Sequence, residues 1–282
     1  MPRIRLSHGD LDGLELHYAS AGHGPATLLI HGLGGFAESW RGTIAALEPQ
    51  SRVISFDLPG FGESAKPRRP YTLDLFVRAV LGLLGRLEVE RVRLVGHSLG
   101  GAIAVAFARA HPERVERLAL LGATVPGFPL RPSAVYRLLS LRGIGELASR
   151  LVSRRICEEA LARCFVLRDP AEIAFLVGHQ YVARTTPEGR AAYLATLRGV
   201  RPDFTERAQE YRAALAGWDR PTLLIHGRQD PVVPARHAQA AARGIRGAIA
   251  RYLEPCGHFP QIEHADVVNG WLGEFLLAGS AR

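Results

Sequence analysis

Arg91-Val92-Arg93-Leu94-Val95-Gly96-His97-Ser98-Leu99-Gly100-Gly101-Ala102-Ile103-Ala104-Val105-Ala106-Phe107 is the stretch on which the reading of this chain turns. Its first five residues predict a buried strand and its last six an apolar helix, with Gly96-His97-Ser98-Leu99-Gly100-Gly101 between them. A serine in so sharp a strand-to-helix turn needs small neighbours, because the backbone is strained and the strand and helix pass close together. The same geometry lifts the hydroxyl clear of the sheet and aims the Leu99 amide at whatever carbonyl the serine attacks. By composition alone G-x-S-x-G arises in roughly one such chain in seven, so the bare pattern says little. The strand before it and the helix after it mark Ser98 as a candidate nucleophile.

Seven further short apolar runs surround this unit, near 3–7, 13–19, 27–31, 52–56, 117–122, 221–226 and 248–253. Segments 37–48, 72–87, 99–110, 235–243 and 264–278 place apolar residues at helical spacing. Such alternation predicts an α/β fold whose mostly parallel sheet is covered by helices on both faces, with the first two strands as an antiparallel edge. From Thr124 to Phe204 the alternation stops, and helix-like segments are broken by Pro126, Pro129, Pro132, Pro170, Pro187 and Pro202. The expected organisation is a core of residues 1–123 and 205–282, with residues 124–204 inserted after strand six as a helical cap. An insertion there sits over the carboxyl edge of the sheet, where open α/β folds bind ligands.

Three more loops follow predicted strands. Thr27-Leu28-Leu29-Ile30 runs into His31-Gly32-Leu33-Gly34-Gly35, where glycines let the backbone approach a substrate oxygen closely. A developing oxyanion needs at least two preorganised N–H donors, and the amides of Leu33 and Leu99 are the candidates, with Gly34 as the alternative donor. Thr222-Leu223-Leu224-Ile225-His226 leads to Asp230, and Ile249-Ala250-Arg251-Tyr252-Leu253 leads to His258. Ser98, Asp230 and His258 thus each follow a strand assigned to one sheet and are expected at one edge, as nucleophile, orienting acid and general base.

Other residues compete for these roles. His31 and His97 lie in backbone-shaping turns, His237 and His264 on or beside helices, and Asp57 in a Pro-Gly turn, so each is read as structural. There is no H-x-x-x-H or carboxylate cluster for a metal, and Gly32-Leu33-Gly34-Gly35 lacks the spacing of a dinucleotide turn. No cofactor is expected. Cys157, Cys164 and Cys256 form no C-x-x-C and are read as reduced thiols.

The 282 residues carry a net charge of +8, supplied by arginine and the single lysine Lys66. Nucleic-acid and acidic-membrane partners need such charge gathered into a patch. Along the sequence it is dispersed, and no nucleic-acid partner is expected. No run approaches the roughly 18 apolar residues of a membrane span, and Met1-Pro2-Arg3-Ile4-Arg5 opens no secretory signal. A cytoplasmic globular protein is expected, as a monomer or small homo-oligomer.

These motifs resemble the α/β-hydrolase superfamily: His31-Gly32-Leu33-Gly34-Gly35, Asp57-Leu58-Pro59-Gly60-Phe61-Gly62-Glu63-Ser64, Gly96-His97-Ser98-Leu99-Gly100-Gly101, His226-Gly227-Arg228-Gln229-Asp230 and Gly257-His258-Phe259-Pro260-Gln261-Ile262-Glu263-His264. The chain order Ser, Asp, His is that of its triad. The resemblance covers nearly the whole chain except the cap, and implies eight strands with a helical lid between strands six and seven. Serine at 98 argues against epoxide opening and dehalogenation, for which relatives place an aspartate. The leading expectation is an esterase or lipase-like serine hydrolase that cleaves a small, hydrophobic carboxylic ester or lactone through a Ser98 acyl-enzyme. The alternative is carbon–carbon hydrolysis of aromatic meta-cleavage products, with Arg131, Arg137, Arg154 or Arg155 holding a substrate carboxylate. Relatives of that kind often carry asparagine where this chain has His97. A further alternative is a non-catalytic ligand receptor on the same fold.

Overall fold

The computed structural model describes residues 1–7 and 9–278; the last four residues assigned to the core, 279–282, lie outside the described residues. Eight strands form the sheet: β1 Arg3–Arg5, β2 Glu15–Ala21, β3 Ala26–Ile30, β4 Arg52–Phe56, β5 Val92–His97, β6 Val115–Leu121, β7 Thr222–Gly227 and β8 Ile249–Leu253. Their order is β1-β2-β4-β3-β5-β6-β7-β8. The β1–β2 and β2–β4 pairs are antiparallel and the rest parallel.

The continuous apolar runs of the central strands are explained by burial on both faces. Side chains alternate across a strand. Leu28, Ile30, Leu94, Leu118, Leu120 and Leu224 therefore join one core cluster, with the helices Leu73–Arg86 and Leu99–Ala110. Their neighbours Leu29, Val95, Ala119, Leu121, Leu223 and Ile225 join the opposite one, against Trp40, Leu47, Val268 and Leu272. Each fully buried side chain of this size contributes about 1.5–3 kcal/mol, so both faces stabilise the sheet.

Strand β5 runs two residues further than its apolar pattern predicts. Gly96 and His97 keep pairing with Leu120 and Leu121 of β6, and the ladder delivers the chain directly to Ser98. The predicted helix over 37–48 opens instead with a tight 3-10 turn, Ala37–Trp40, before the helix Arg41–Leu47.

Residues 122–221, between β6 and β7, carry seven helices. Pro170 and Pro187 open two of them, where a missing N–H costs nothing, beside the capping side chains of Asp169 and Thr186. Phe165, Ile173, Leu176 and Val177 build a separate small core with Phe36. The last of the seven, Ala208–Ala216, instead sends Tyr211 and Leu215 into the larger core.

Candidate active site

Ser98, Asp230 and His258 all sit just past the carboxyl ends of β5, β7 and β8. Ser98 has φ 52° and ψ −119°, a region an L side chain enters only when its surroundings force it. Here the Ser98 N–H donates to Leu121 O at 3.1 Å, and Ser98 O accepts from Gly101 and Thr124 N–H at 3.0 and 3.1 Å. A Cβ on Gly100 would stand 2.1 Å from Ile30 O, and one on Gly96 2.4 Å from Gly100 O. The turn exists because neither position carries a side chain.

The structure brings the three side chains together. His258 Nε2 is 3.0 Å from Ser98 Oγ, and His258 Nδ1 is 2.8 Å from Asp230 Oδ2. Asp230 Oδ1 accepts the Val232 and Val233 N–H groups at 2.8 and 2.9 Å, and Oδ2 also faces His226 Nε2 at 3.3 Å. Burial pushes the Asp230 carboxyl up, but the His258 and His226 rings outweigh it and hold the group well below the usual carboxylate range. An ionised Asp230 only accepts, so His258 Nδ1 must carry the proton and Nε2 turns its lone pair to the serine hydroxyl.

The backbone of His258 is gripped from two sides. His97 Nε2–H donates to its carbonyl at 2.8 Å, and its own N–H donates to Cys164 O, in the insertion, at 2.8 Å. Glu263 reinforces this grip. Its Oε2 accepts Val166 and Leu167 N–H at 2.7 and 2.9 Å, while Oε1 accepts Gly257 N–H at 2.9 Å. One carboxylate thus ties the histidine loop to the insertion.

The Gly32–Gly35 turn abuts the nucleophile, since a Cβ on Gly32 would lie 2.9 Å from Ser98 Cβ. His31 braces it: Nε2 accepts Leu58 N–H at 3.0 Å, so Nδ1–H donates to Gly32 O at 2.8 Å. Among the described residues the amides of Leu33, Gly34 and Leu99 donate to no protein acceptor. Asp57 spends its carboxylate on Ala37 N, Glu63 N and His17 Nδ1, at 2.6, 2.7 and 2.9 Å.

Fold, turn and loop geometry agree with a sequence match. The family model described as "Alpha/beta hydrolase family" covers residues 27–271. The chain belongs to the alpha/beta hydrolase family. Among this family's members, the 2-hydroxymuconate semialdehyde hydrolase of Pseudomonas sp. (strain CF600) is 32% identical over 95% of this chain and 93% of its own. Two solved alpha/beta hydrolase structures are similar throughout. The enol-lactonase from Burkholderia xenovorans LB400 has a TM-score of 0.80 at 27% identity, covering 98% of this chain and 99% of that one. The 2-hydroxy-6-oxo-6-phenylhexa-2,4-dienoate hydrolase from Rhodococcus sp. strain RHA1 has 0.79 at 27% identity, covering 94% and 95%.

The arginines suggested for a substrate carboxylate lie on the surface of this hydrolase. Arg131, Arg137, Arg154 and Arg155 are all exposed, and Arg155 pairs with Glu159 along its own helix. Arg184 is half-buried at the end of the helix Pro170–Thr185. Its guanidinium lies 4.1 Å from the ring centre of Tyr193, whose edge is 3.5 Å from where Gly34 would carry a Cβ. Periodicity gives no hint of Arg184, because its position depends on how two helices pack. Glu263 had a legible signal that went unused, an acid a few residues past His258 at the end of a short helix, Pro260–Glu263.

Three buried histidines set an expected pH response. Burial lowers His97 to about 3 and also lowers His31 and His237 from the ordinary 6.5. Each takes up a proton in the unfolded chain before it does so in the fold. Their contribution is therefore whole above about pH 6.5 and lost as the pH falls below it, with a slope up to about 1.4 kcal/mol per pH unit for each. Urea midpoints measured from neutral to mildly acid pH should fall accordingly, with a shallower slope in His97→Gln; a flat profile would contradict the neutral assignment.

Proposed function

We propose that this hydrolase cleaves a carbon–carbon bond in an aromatic ring-fission product, a conjugated 2-hydroxy-6-oxo-dienoate, through Ser98. The observation that carries the reading is Arg184. Among the described residues no carboxylate pairs with it, and it stacks on the tyrosine that borders the Gly34 turn. A ring-fission product ends in a carboxylate that an arginine can hold. The names of the relative and of the Rhodococcus structure support the same substrate class. The ester preference drawn from the sequence accordingly becomes the second reading, favoured by the enol-lactonase neighbour and by His97.

In this mechanism His258 Nε2 takes the Ser98 proton as Oγ adds to the ketone carbon, and Leu33 and Leu99 N–H face the oxyanion. Collapse breaks the carbon–carbon bond. Because the dienol's hydroxyl proton has first moved to C5, giving the 2-oxo tautomer, the electron pair delocalises through the remaining carbon–carbon double bond onto the 2-oxo oxygen next to the carboxylate that Arg184 holds, and that oxygen takes its proton from His258. Water, deprotonated by the same imidazole, then releases the acyl group as a carboxylic acid. Residues 124–204 act as a lid that excludes bulk water, and the Cys164 carbonyl and Glu263 couple that lid to His258.

Turnover of 2-hydroxy-6-oxo-6-phenylhexa-2,4-dienoate against short-chain nitrophenyl esters tests the reading. The dienoate should win in kcat/KM by about 10²-fold or more, and Arg184→Gln should lower its kcat/KM about 10²-fold through a lost charge pair, with a smaller effect on a neutral ester. The reverse ranking, with no effect of Arg184→Gln, would move the assignment to ester or lactone hydrolysis.

A further inference from the structure

Charge that is scattered along the sequence gathers on the insertion. Its first two helices, Ala134–Ser140 and Ile144–Arg150, bury no large apolar side chain completely. Instead Val135 and Leu138 on the first, and Ile144, Leu147 and Leu151 on and just after the second, are exposed, Leu147 at 63% and Leu151 at 70%. Within each helix these residues stand three or four positions apart, so each set forms one stripe. The half-buried Leu139 and the buried Gly145 mark the inward side. A soluble domain has no reason to leave five large aliphatic side chains on neighbouring helices in water, and such a patch marks an interaction surface.

Its charge says what covers it. Arg137 and Arg150 on these helices, Arg142 between them and Arg154 at the start of the next are exposed, and no ion pair to any of them occurs among the described residues. The one acid on the two helices, Glu146, is already held by Arg198. A second copy of this chain would set arginine against arginine. Nucleic acid would match the arginines but leave the aliphatic side chains in water. An anionic bilayer satisfies both, since its phosphates receive the guanidinium groups while the aliphatic stripes enter the headgroup boundary.

We infer that the outer face of the insertion docks on anionic lipid surfaces as a peripheral contact, with no membrane-crossing segment. Among the described residues no helix is long and apolar enough to cross a membrane. The inference is independent of the chemistry at Ser98.

Sedimentation of the full-length protein with vesicles of phosphatidylglycerol and phosphatidylcholine, against vesicles of phosphatidylcholine alone, tests it. Binding should favour the anionic vesicles at least about tenfold and be reversed by salt. Arg150→Glu/Arg154→Glu should weaken it about fivefold or more for each arginine removed. Leu147→Glu/Leu151→Glu should abolish it, whereas Arg246→Glu, an exposed arginine outside the insertion, should have a far smaller effect. Ser98→Ala protein should bind as the parent does, which separates this inference from the catalytic reading. Equal binding to both vesicle types, or unchanged binding by the Leu147/Leu151 variant, would overturn it. So would a concentration-dependent dimer that the same variant dissolves, which would assign the face to a second copy.

Discussion

Ser98→Ala is expected to lose about six orders of magnitude in turnover, on whichever substrate the protein proves to favour, because the nucleophile and its base act as a unit. The hydroxyl is the group that His258 Nε2 faces at 3.0 Å, and nothing else at the end of β5 can replace it. Labelling by a fluorophosphonate should vanish in parallel. The strained backbone adds a second readout. At φ 52° alanine keeps the strain of about 1–3 kcal/mol that serine bears, whereas glycine relieves it. Ser98→Gly should therefore be as inactive as Ser98→Ala yet more stable by about 1 kcal/mol, part of the relief being offset by glycine's freer unfolded chain. Full activity in folded Ser98→Ala protein would end the nucleophile assignment, and a parent protein that never labels would favour a binding role for the pocket.

Asp230→Asn is expected to lower kcat about 10⁴-fold while leaving the fold in place. The reason lies in the donors around this side chain. Val232 and Val233 N–H both point at Oδ1, so an asparagine must keep its oxygen there and turn its NH2 toward His258 and His226. His258 Nδ1 then becomes an acceptor, the ring proton moves to Nε2, and the lone pair that should receive the serine proton is lost. Substrate binding makes no use of Asp230, so KM should change much less than kcat. Activity near the parental level would mean that another group orients the imidazole, and His226 is the only other ring within reach of this carboxylate in the described structure.

Both substitutions act on residues that were legible in the sequence, and the reason is local. A strand, a glycine turn and a helix are each set by a few adjacent residues, so the run from Arg91 to Phe107 announces its own geometry. The same holds for the strands that lead to His31, to Asp230 and to His258, because a parallel sheet buried on both faces writes itself as short apolar runs. Once all are placed in one sheet, their carboxyl ends share an edge, and the convergence of serine, imidazole and carboxylate follows from topology.

The remaining features have no local signature. His97 bonding the His258 carbonyl and Glu263 tying the histidine loop to Val166 and Leu167 join segments 96 to 161 residues apart, and Arg184 resting on Tyr193 depends on how two successive helices pack. Single arginines along 131–155 look like ordinary solvated charge until two helices fold into a hairpin and leave Leu147 and Leu151 among them. The sequence by itself determined the sheet, the nucleophile turn and the order of the three site residues, because backbone sterics and hydrophobic periodicity act between near neighbours. Only the tertiary structure decided which arginine packs on Tyr193, what holds the histidine in place and where the exposed aliphatic stripes and arginines meet, because those depend on helix packing that no short stretch of chain encodes.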